Sequence, residues 1–150
     1  MPLSNPTANA EATPADILRW TQGKALVATG SPFEPVRTGG LTRQVGQANN
    51  MLIFPGVGLA AIASWATEIT DDMFAVAATT LASLVSADRV AHGALYPPVA
   101  DLRRVSRAVA TAVATQASQD GVARLAPGDD IGKAVAAAIW YPSYPELLGP

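Results

Sequence analysis

A glycine pattern of the kind that binds phosphate follows an apolar run near the middle of the chain. The stretch MLIFPGVGLAA (51–61) fits the pattern G-x-G-x-x-A from Gly56 and Gly58 onward. In dinucleotide-binding folds this turn joins a strand to a helix, and an acidic residue further along the chain binds the ribose. Here Pro55 directly precedes the first glycine, and Glu68 follows it too early for that role. The pattern alone is therefore weak evidence for a nucleotide site.

The same stretch has a second interpretation, which the sequence favours. Asn49 or Asn50 is suited to cap a helix beginning at Met51, because asparagine is a preferred N-cap residue. The pattern would then mark small residues that allow close helix packing: Gly56, Gly58, Ala60 and Ala61.

The other side chains that could take part in catalysis or metal binding are not grouped with one another in the sequence. His92 has no acid or nucleophile beside it in the sequence and is predicted to lie at the surface or at a helix end. Ser31 in GSPF lacks the G-x-S-x-G pattern of a nucleophile elbow, and Asp71 with Asp72 suits a helix start better than a metal pair. A cluster of arginines is interpreted as a solvated helix face, or alternatively as an interface salt bridge: Arg103, Arg104 and Arg107. We find no self-contained catalytic constellation.

Composition narrows the classes of protein that fit. The 150 residues are 49% hydrophobic and 15% charged, which predicts one globular domain. A net charge of −2 argues against nucleic-acid or anionic-membrane partners. The absence of cysteine and the single histidine exclude thiolate chemistry and multi-histidine metal sites. Neither a membrane span nor a signal peptide is evident, so we expect a soluble, cytoplasmic chain.

Glycine, proline and capping residues mark the predicted ends of the helices and strands that would position the candidate residues. Thr13 with Pro14 opens a helix, and Gly39-Gly40 forms the turn of a small hairpin. Residues 25–28, ALVA, read as one strand buried on both faces. Because a parallel strand needs neighbours, we expect those to come from another chain or from sequence not present here. Helices are predicted at 70–84, Ala87–Ala91, 99–118 and 129–140.

Three stretches in the same order and spacing resemble malic enzyme. They are LSNPTANAEATPADILRWTQGKALVATGSPFEPV (3–36), GQANNMLIFPGVGLAAIAS (46–64) and LYPPVADLRRVSRAVATAV (95–113), and the ending WYPSYPEL is similar more loosely. The resemblance implies an α/β fold class. Residues 1–150 would form the C-terminal portion of a Rossmann-like NAD(P)-binding domain, mostly α-helical here, with closing helices at about 99–118 and 129–140. It also implies oxidative decarboxylation of L-malate to pyruvate and CO2, with NAD or NADP and a Mg or Mn ion.

The resemblance also implies roles for two asparagines. Asn5, in S-N-P-T, would contact the nicotinamide end of the cofactor and the malate, and Asn49, the first of the N-N pair, would contact malate. A neutral amide donates to carboxylate or hydroxyl oxygens and adds no charge to a site that already holds a cation and a dianion. Asn50 would be structural and would cap the following helix.

No residue here matches the family's glycine-rich nucleotide turn, metal-binding carboxylates, catalytic lysine and tyrosine, or malate-binding arginine. We therefore expect no catalytic residue and no metal ligand in this chain, and no turnover by it alone. The expected partners are L-malate or pyruvate, and either the rest of malic enzyme or further subunits of a homo-oligomer. The alternatives are one half of a split enzyme, a non-catalytic helical interaction module and, last, an independent dinucleotide binder using the glycines.

Overall fold

Six helices and four short strands make up the part of the chain that the computed structural model describes, residues 1–126 and 128–142. The helices are α1 Pro14–Trp20, α2 Phe54–Ser64, α3 Asp71–Ser83, α4 Ala87–Ala91, α5 Leu102–Gln119 and α6 Ile131–Ala138. The strands are β1 Ala28–Thr29, β2 Val36–Thr38, β3 Leu41–Arg43 and β4 Gly46–Gln47. Short 3₁₀ turns lie at Thr7–Asn9, Asn50–Leu52 and Val99–Asp101. The WYPSYPEL ending falls outside the described residues from position 143 onward.

The main core lies between α2, α3, α5 and α6. Helix α5 presents an apolar stripe to its neighbours because its small and β-branched residues recur at helical spacing. The stripe is fully buried and consists of Val105, Val109, Ala110, Val113, Ala114 and Ala117. Leu52, Met73 and Val135 reach it from the other elements, each with no exposed surface. This cluster is the largest apolar contribution to stability in the described residues.

Hydrogen bonds at helix ends fix how the helices meet. Thr70 caps α3, where its Oγ1 accepts from the Met73 N–H at 3.2 Å. The same hydroxyl donates to Asp120 Oδ2 at 2.6 Å, which ties the start of α3 to the end of α5. Thr13 caps α1 in the same way and accepts from the Asp16 N–H, as predicted.

The two sheets are small, as the mostly helical prediction requires. Strands β2 and β3 form the predicted antiparallel hairpin, and Gly39 and Gly40 at its turn have φ of +57° and +78°, the left-handed conformation that such turns need. Strands β1 and β4 pair in parallel, with Ala28 opposite Gly46 and Thr29 opposite Gln47.

The buried strand predicted at residues 25–28 is mostly wrong. Only Ala28 of that run lies in β1, and the Leu26 side chain is 61% exposed. Pairing stops early because β4, its parallel partner, offers only Gly46–Gln47. That partner belongs to the same chain, so the expectation that both neighbours come from elsewhere is also wrong.

None of the helices in the described part of the chain has the length and apolar character that a membrane span requires.

Candidate functional site

The glycine pattern lies inside α2 and does not follow a strand. Residues Asn50–Leu52 form a 3₁₀ turn, and Gly56 sits in the first turns of the helix. A Cβ at Gly56 would lie 2.7 Å from Val109 Cβ and 3.1 Å from the Ser106 carbonyl oxygen, so the glycine lets α2 approach α5 closely. The helix-packing interpretation is confirmed at Gly56 and is wrong at Gly58, where nothing lies within 4 Å of such a Cβ.

Three segments of the chain meet at the carboxyl end of the parallel strand pair. The Ala48 N–H donates to the Thr29 carbonyl oxygen at 2.8 Å, and the Gly30 N–H donates to the Pro2 carbonyl oxygen at 3.0 Å. Any side chain at Gly30 would overlap the Leu3 carbonyl group. Residues 1–3 therefore lie against the chain at the end of β1. In open α/β sheets, ligands bind in the crevice outside the carboxyl ends of the strands.

Asn5 lies just beyond this junction and is oriented by a neighbouring strand end. The Ser31 hydroxyl, almost fully buried, donates to Asn5 Oδ1 at 2.6 Å. Within the described residues the Asn5 amide NH2 forms no hydrogen bond, and the side chain is exposed. Ser31 carries no nucleophile pattern, and sequence reasoning missed that it orients Asn5. The only available signal was that both residues fall in the first stretch of the family resemblance.

Asn49 follows β4 and opens the next helical segment. Its Oδ1 accepts from the Met51 N–H at 3.0 Å, which makes Asn49 the N-cap of the 3₁₀ turn. The capping role expected for Asn50 is therefore wrong, and Asn50 is instead the exposed first residue of that turn. In the described part of the chain the Asn49 amide NH2 has no partner, so it remains a hydrogen-bond donor.

Asn49 and Asn50 line a cavity of about 480 Å³. Its walls come from the N-terminal segment, from α3 and from the loop after α4, and they include Leu3, Leu81 and Tyr96. The cavity therefore combines an apolar lining with a few amides, which is the usual character of a small-molecule site. Asn5 does not line it, so the structure places the two predicted site residues beside the same strand ends but not in one cavity.

The remaining candidate residues behave as structural groups. His92 is the C-cap of α4, as predicted, but the Asp88 carboxylate lies 3.4 Å from its Nδ1, so the expectation of no nearby acid is wrong. Asp71 and Asp72 occupy the first turn of α3, where the helix dipole favours them. Across residues 1–126 and 128–142, no three acidic, histidine or cysteine side chains are grouped to hold a metal ion.

One acidic group beside Asn5 has a perturbed pKa. The Ser4 hydroxyl donates to Glu11 Oε1 at 2.6 Å, and this hydrogen bond holds the pKa of the Glu11 carboxyl below its ordinary value. The ionised carboxylate therefore tethers the N-terminal segment that carries Asn5.

Comparison with known proteins identifies the family. Residues 1–118 match the family described as "Malic enzyme, NAD binding domain". The chain is 49% identical over 143 residues to the NAD-dependent malic enzyme of Aeromonas salmonicida, covering 95% of this chain and 25% of that protein. It is 48% identical over 144 residues to NAD-dependent malic enzyme 3 of Bacillus subtilis, covering 96% and 25%. For the Pseudomonas aeruginosa NAD-dependent malic enzyme, the identity is 46% over 144 residues, covering 96% and 26%.

The chain thus belongs to the malic enzyme family, within its NAD-binding domain. It spans about a quarter of the length of the curated relatives that it matches.

Proposed function

We propose that this chain supplies part of the cofactor and substrate site of an NAD-dependent malic enzyme, which converts L-malate to pyruvate and CO2 while reducing NAD. Two observations support the proposal, namely the family match over residues 1–118 and relatives named as NAD-dependent malic enzymes. Those names favour NAD over NADP. In this proposal the chain is the C-terminal part of the NAD-binding domain, and α5 and α6 are its closing helices.

The observation that carries the proposal is the shared state of the two asparagine amides. Each Oδ1 already accepts a hydrogen bond within the chain, from Ser31 Oγ at Asn5 and from the Met51 N–H at Asn49. Each NH2 group is left as a neutral donor at the carboxyl ends of the strands. Asn5 would donate to the nicotinamide carboxamide and to malate, and Asn49 to a malate oxygen, because carboxylate, carbonyl and hydroxyl oxygens all accept such bonds.

A divalent Mg or Mn ion belongs to the proposed activity, but the described residues do not fit one. They contain no group of three side chains able to bind a metal. The ion would therefore be held by carboxylates in another part of a malic enzyme polypeptide, where it would polarise the substrate oxygen. The residues here orient and bind, and we expect no turnover of malate by this chain alone.

A chimera tests this proposal. The 150 residues would replace the aligned quarter of the Bacillus subtilis relative, and malate-dependent NADH absorbance would be followed with Mn present. The proposal expects activity, and it expects Asn49→Asp to lower kcat/KM by roughly tenfold or more, because a charged-group hydrogen bond contributes about 1.5–3 kcal/mol. Aspartate keeps the capping oxygen for Met51, so the helix start is preserved while the donor is lost.

Gln119→Glu is the matched control, since it makes the same change from amide to carboxylate on an exposed side chain outside the cavity that Asn49 lines. It should leave kcat/KM within a small factor of the parent chimera. A folded chimera without activity, or equal losses in the two variants, would contradict the proposed role of Asn49.

A second candidate function is docking to another polypeptide, and the outer face of α2 favours it. Phe54, Ile62 and Trp65 are 72%, 69% and 72% exposed, which is unusual for large apolar side chains. We propose that this face packs against the rest of a malic enzyme or a second subunit. Light scattering of the purified chain should show association that Ile62→Asp abolishes. Leu41→Asp, at a hairpin residue 61% exposed, is the control. A monomeric parent chain would exclude self-association.

A further inference from the structure

A second cavity lies away from both asparagines, between the first turns of α5 and the end of α6. Its volume is about 580 Å³, within the range of small-molecule sites. Three arginines of α5 line one wall, and Trp140 and Tyr141 line another. We call this cavity the arginine groove. None of these residues takes part in the proposed malic enzyme function, so a ligand of the arginine groove would be independent of that function.

Positive charge in the arginine groove is poorly compensated. Arg103 and Arg107 are four residues apart on α5, a like-charge spacing that weakens a helix. Arg103 also lies in the first turn of α5, at the positive end of the helix dipole, which disfavours a cation there. Arg104 is paired, with Nη2 2.8 Å from Asp101 Oδ2. No salt bridge to Arg103 or Arg107 forms among residues 1–126 and 128–142. An unfavourable placement of this kind is explained if the charges serve an anionic ligand.

Aromatic side chains give the arginine groove a defined shape. The Arg103 guanidinium carbon lies 5.2 Å from the centroid of the Tyr141 ring, within the range of a cation–π contact. Arg103 forms no salt bridge in the described part of the chain, so its N–H groups remain available as donors. Trp140 is 76% exposed beside it and offers an apolar surface. Guanidinium groups bind carboxylate and phosphate through paired N–H donors, so the arrangement suits an acid with more than one anionic group.

We propose that the arginine groove binds a small multivalent anion carrying carboxylate or phosphate groups, with Arg103 and Arg107 as the binding residues. Arg104 contributes less because Asp101 already neutralises it. Tyr141 holds the Arg103 guanidinium in place. The site is distinct from the cavity at Asn49, so binding there does not compete with occupation of the arginine groove.

The test is calorimetric titration of the full chain with two probes, inorganic pyrophosphate and tricarballylate, at constant ionic strength. Saturable binding of either probe supports the site, and the stronger of the two identifies phosphate or carboxylate as its chemistry. Arg103→Gln and Arg107→Gln should each weaken binding by roughly tenfold or more, the effect of losing a hydrogen bond between charged groups. Arg104→Gln should weaken it less. Failure of both probes to bind saturably overturns the proposal.

Controls separate a built site from general charge effects. Arg37→Gln removes the same charge from an exposed arginine on β2 and should leave affinity unchanged. Sodium chloride at matched ionic strength should raise the melting temperature less than either bound probe. Asn49→Asp should not alter probe binding, so this proposal and the malic enzyme function fail independently. Equal losses in Arg37→Gln and Arg103→Gln would also overturn the site.

Discussion

The helical region from residue 50 onward and the N-terminal region before it are held together by different forces. The apolar core cluster draws every fully buried member from the helical region, between Leu52 and Val135. The N-terminal region has only a few buried apolar residues, such as Leu18 and Val27, and two-stranded sheets joined by backbone hydrogen bonds. The candidate site lies at the border of the two regions, where Asn49 links β4 to the helices.

This difference explains why the border suits a binding site. The packed helices provide a rigid support, because close-packed interiors resist displacement. The hydrogen-bonded segments present polar groups at strand ends, where loops commonly carry function. Stability and the proposed ligand contacts therefore depend on largely separate residues. Substitutions in the two regions test that separation, from the largest expected effect to the smallest.

Replacing one leucine in each region should change the free energy of unfolding by very different amounts. Leu52→Ala removes a side chain with no exposed surface from the helical core and should lower the free energy of unfolding by about 2–5 kcal/mol. Leu26→Ala, in the apolar run before β1, should change it by less than about 0.5 kcal/mol because that side chain is 61% exposed. Urea unfolding measures both values. Similar losses would show that the N-terminal region has a core of its own.

Two glycines of α2 should respond oppositely to alanine. Gly56→Ala forces a Cβ against Val109 and should cost about 1–3 kcal/mol, as overpacking does. Gly58→Ala should stabilise by about 0.5–1 kcal/mol, because alanine favours helix and nothing lies near its Cβ.

Adding Val109→Ala to each variant completes a double-mutant cycle. Coupling with Gly56→Ala and none with Gly58→Ala is expected, since Val109→Ala removes the Cγ1 atom 2.7 Å from a Cβ at Gly56, whereas nothing lies within 4 Å of a Cβ at Gly58. A destabilised Gly58→Ala variant would mean that this face of α2 is packed in solution.

The threonine N-caps of the two regions should contribute different amounts to the free energy of unfolding. Thr70→Ala loses the α3 cap and the hydrogen bond to Asp120, and should cost about 1–2 kcal/mol. Thr13→Ala loses the α1 cap, whose exposed hydrogen bonds stay local to Asp16, and should cost about 0.5–1 kcal/mol. Thermal unfolding of both variants checks the order. A larger cost at Thr13 would reverse the comparison.

Acid should loosen the N-terminal segment before it affects the helices. The pKa of Glu11 is lowered in the folded chain by its hydrogen bond from Ser4, so the carboxylate stabilises the segment above the ordinary glutamate pKa. That contribution is lost as the pH falls through the lowered pKa. Ser4→Ala should raise the pKa of Glu11 toward its ordinary value, measured by NMR titration. An unchanged Glu11 titration in Ser4→Ala would exclude this tether.

Local signals in the sequence predicted the elements whose causes are local. The cap at Thr13, the hairpin turn at Gly39-Gly40 and the acidic start of α3 depend on residues within a few positions of each other. The run at residues 25–28 failed because the length of a strand depends on its partner. The partner, β4, pairs Gly46 with Ala28, 18 positions earlier in the chain (46 − 28), and contributes only Gly46–Gln47.

The candidate site was harder to predict from the sequence, because it too depends on contacts between residues far apart in the chain. The hydrogen bond from Ser31 to Asn5 joins residues 26 positions apart, and no local pattern marks it. The roles proposed for Asn5 and Asn49 came from the resemblance to malic enzyme and not from their spacing. The different environments of Gly56 and Gly58 depend on where α5 lies, which periodicity within α2 does not specify.

The two ends of the Asn49 amide differ: its oxygen is used by the fold, and its NH2 group is left without a partner in the described residues beside the cavity that Asn49 lines. Its oxygen starts the 3₁₀ turn, a task that serine, threonine or aspartate performs about as well. Helix stability is thus nearly indifferent among four residue types, and the NH2 group is the feature that three of them lack. Substituting the other three in turn and comparing them with asparagine would separate an interchangeable structural requirement from a chemical one at a single position.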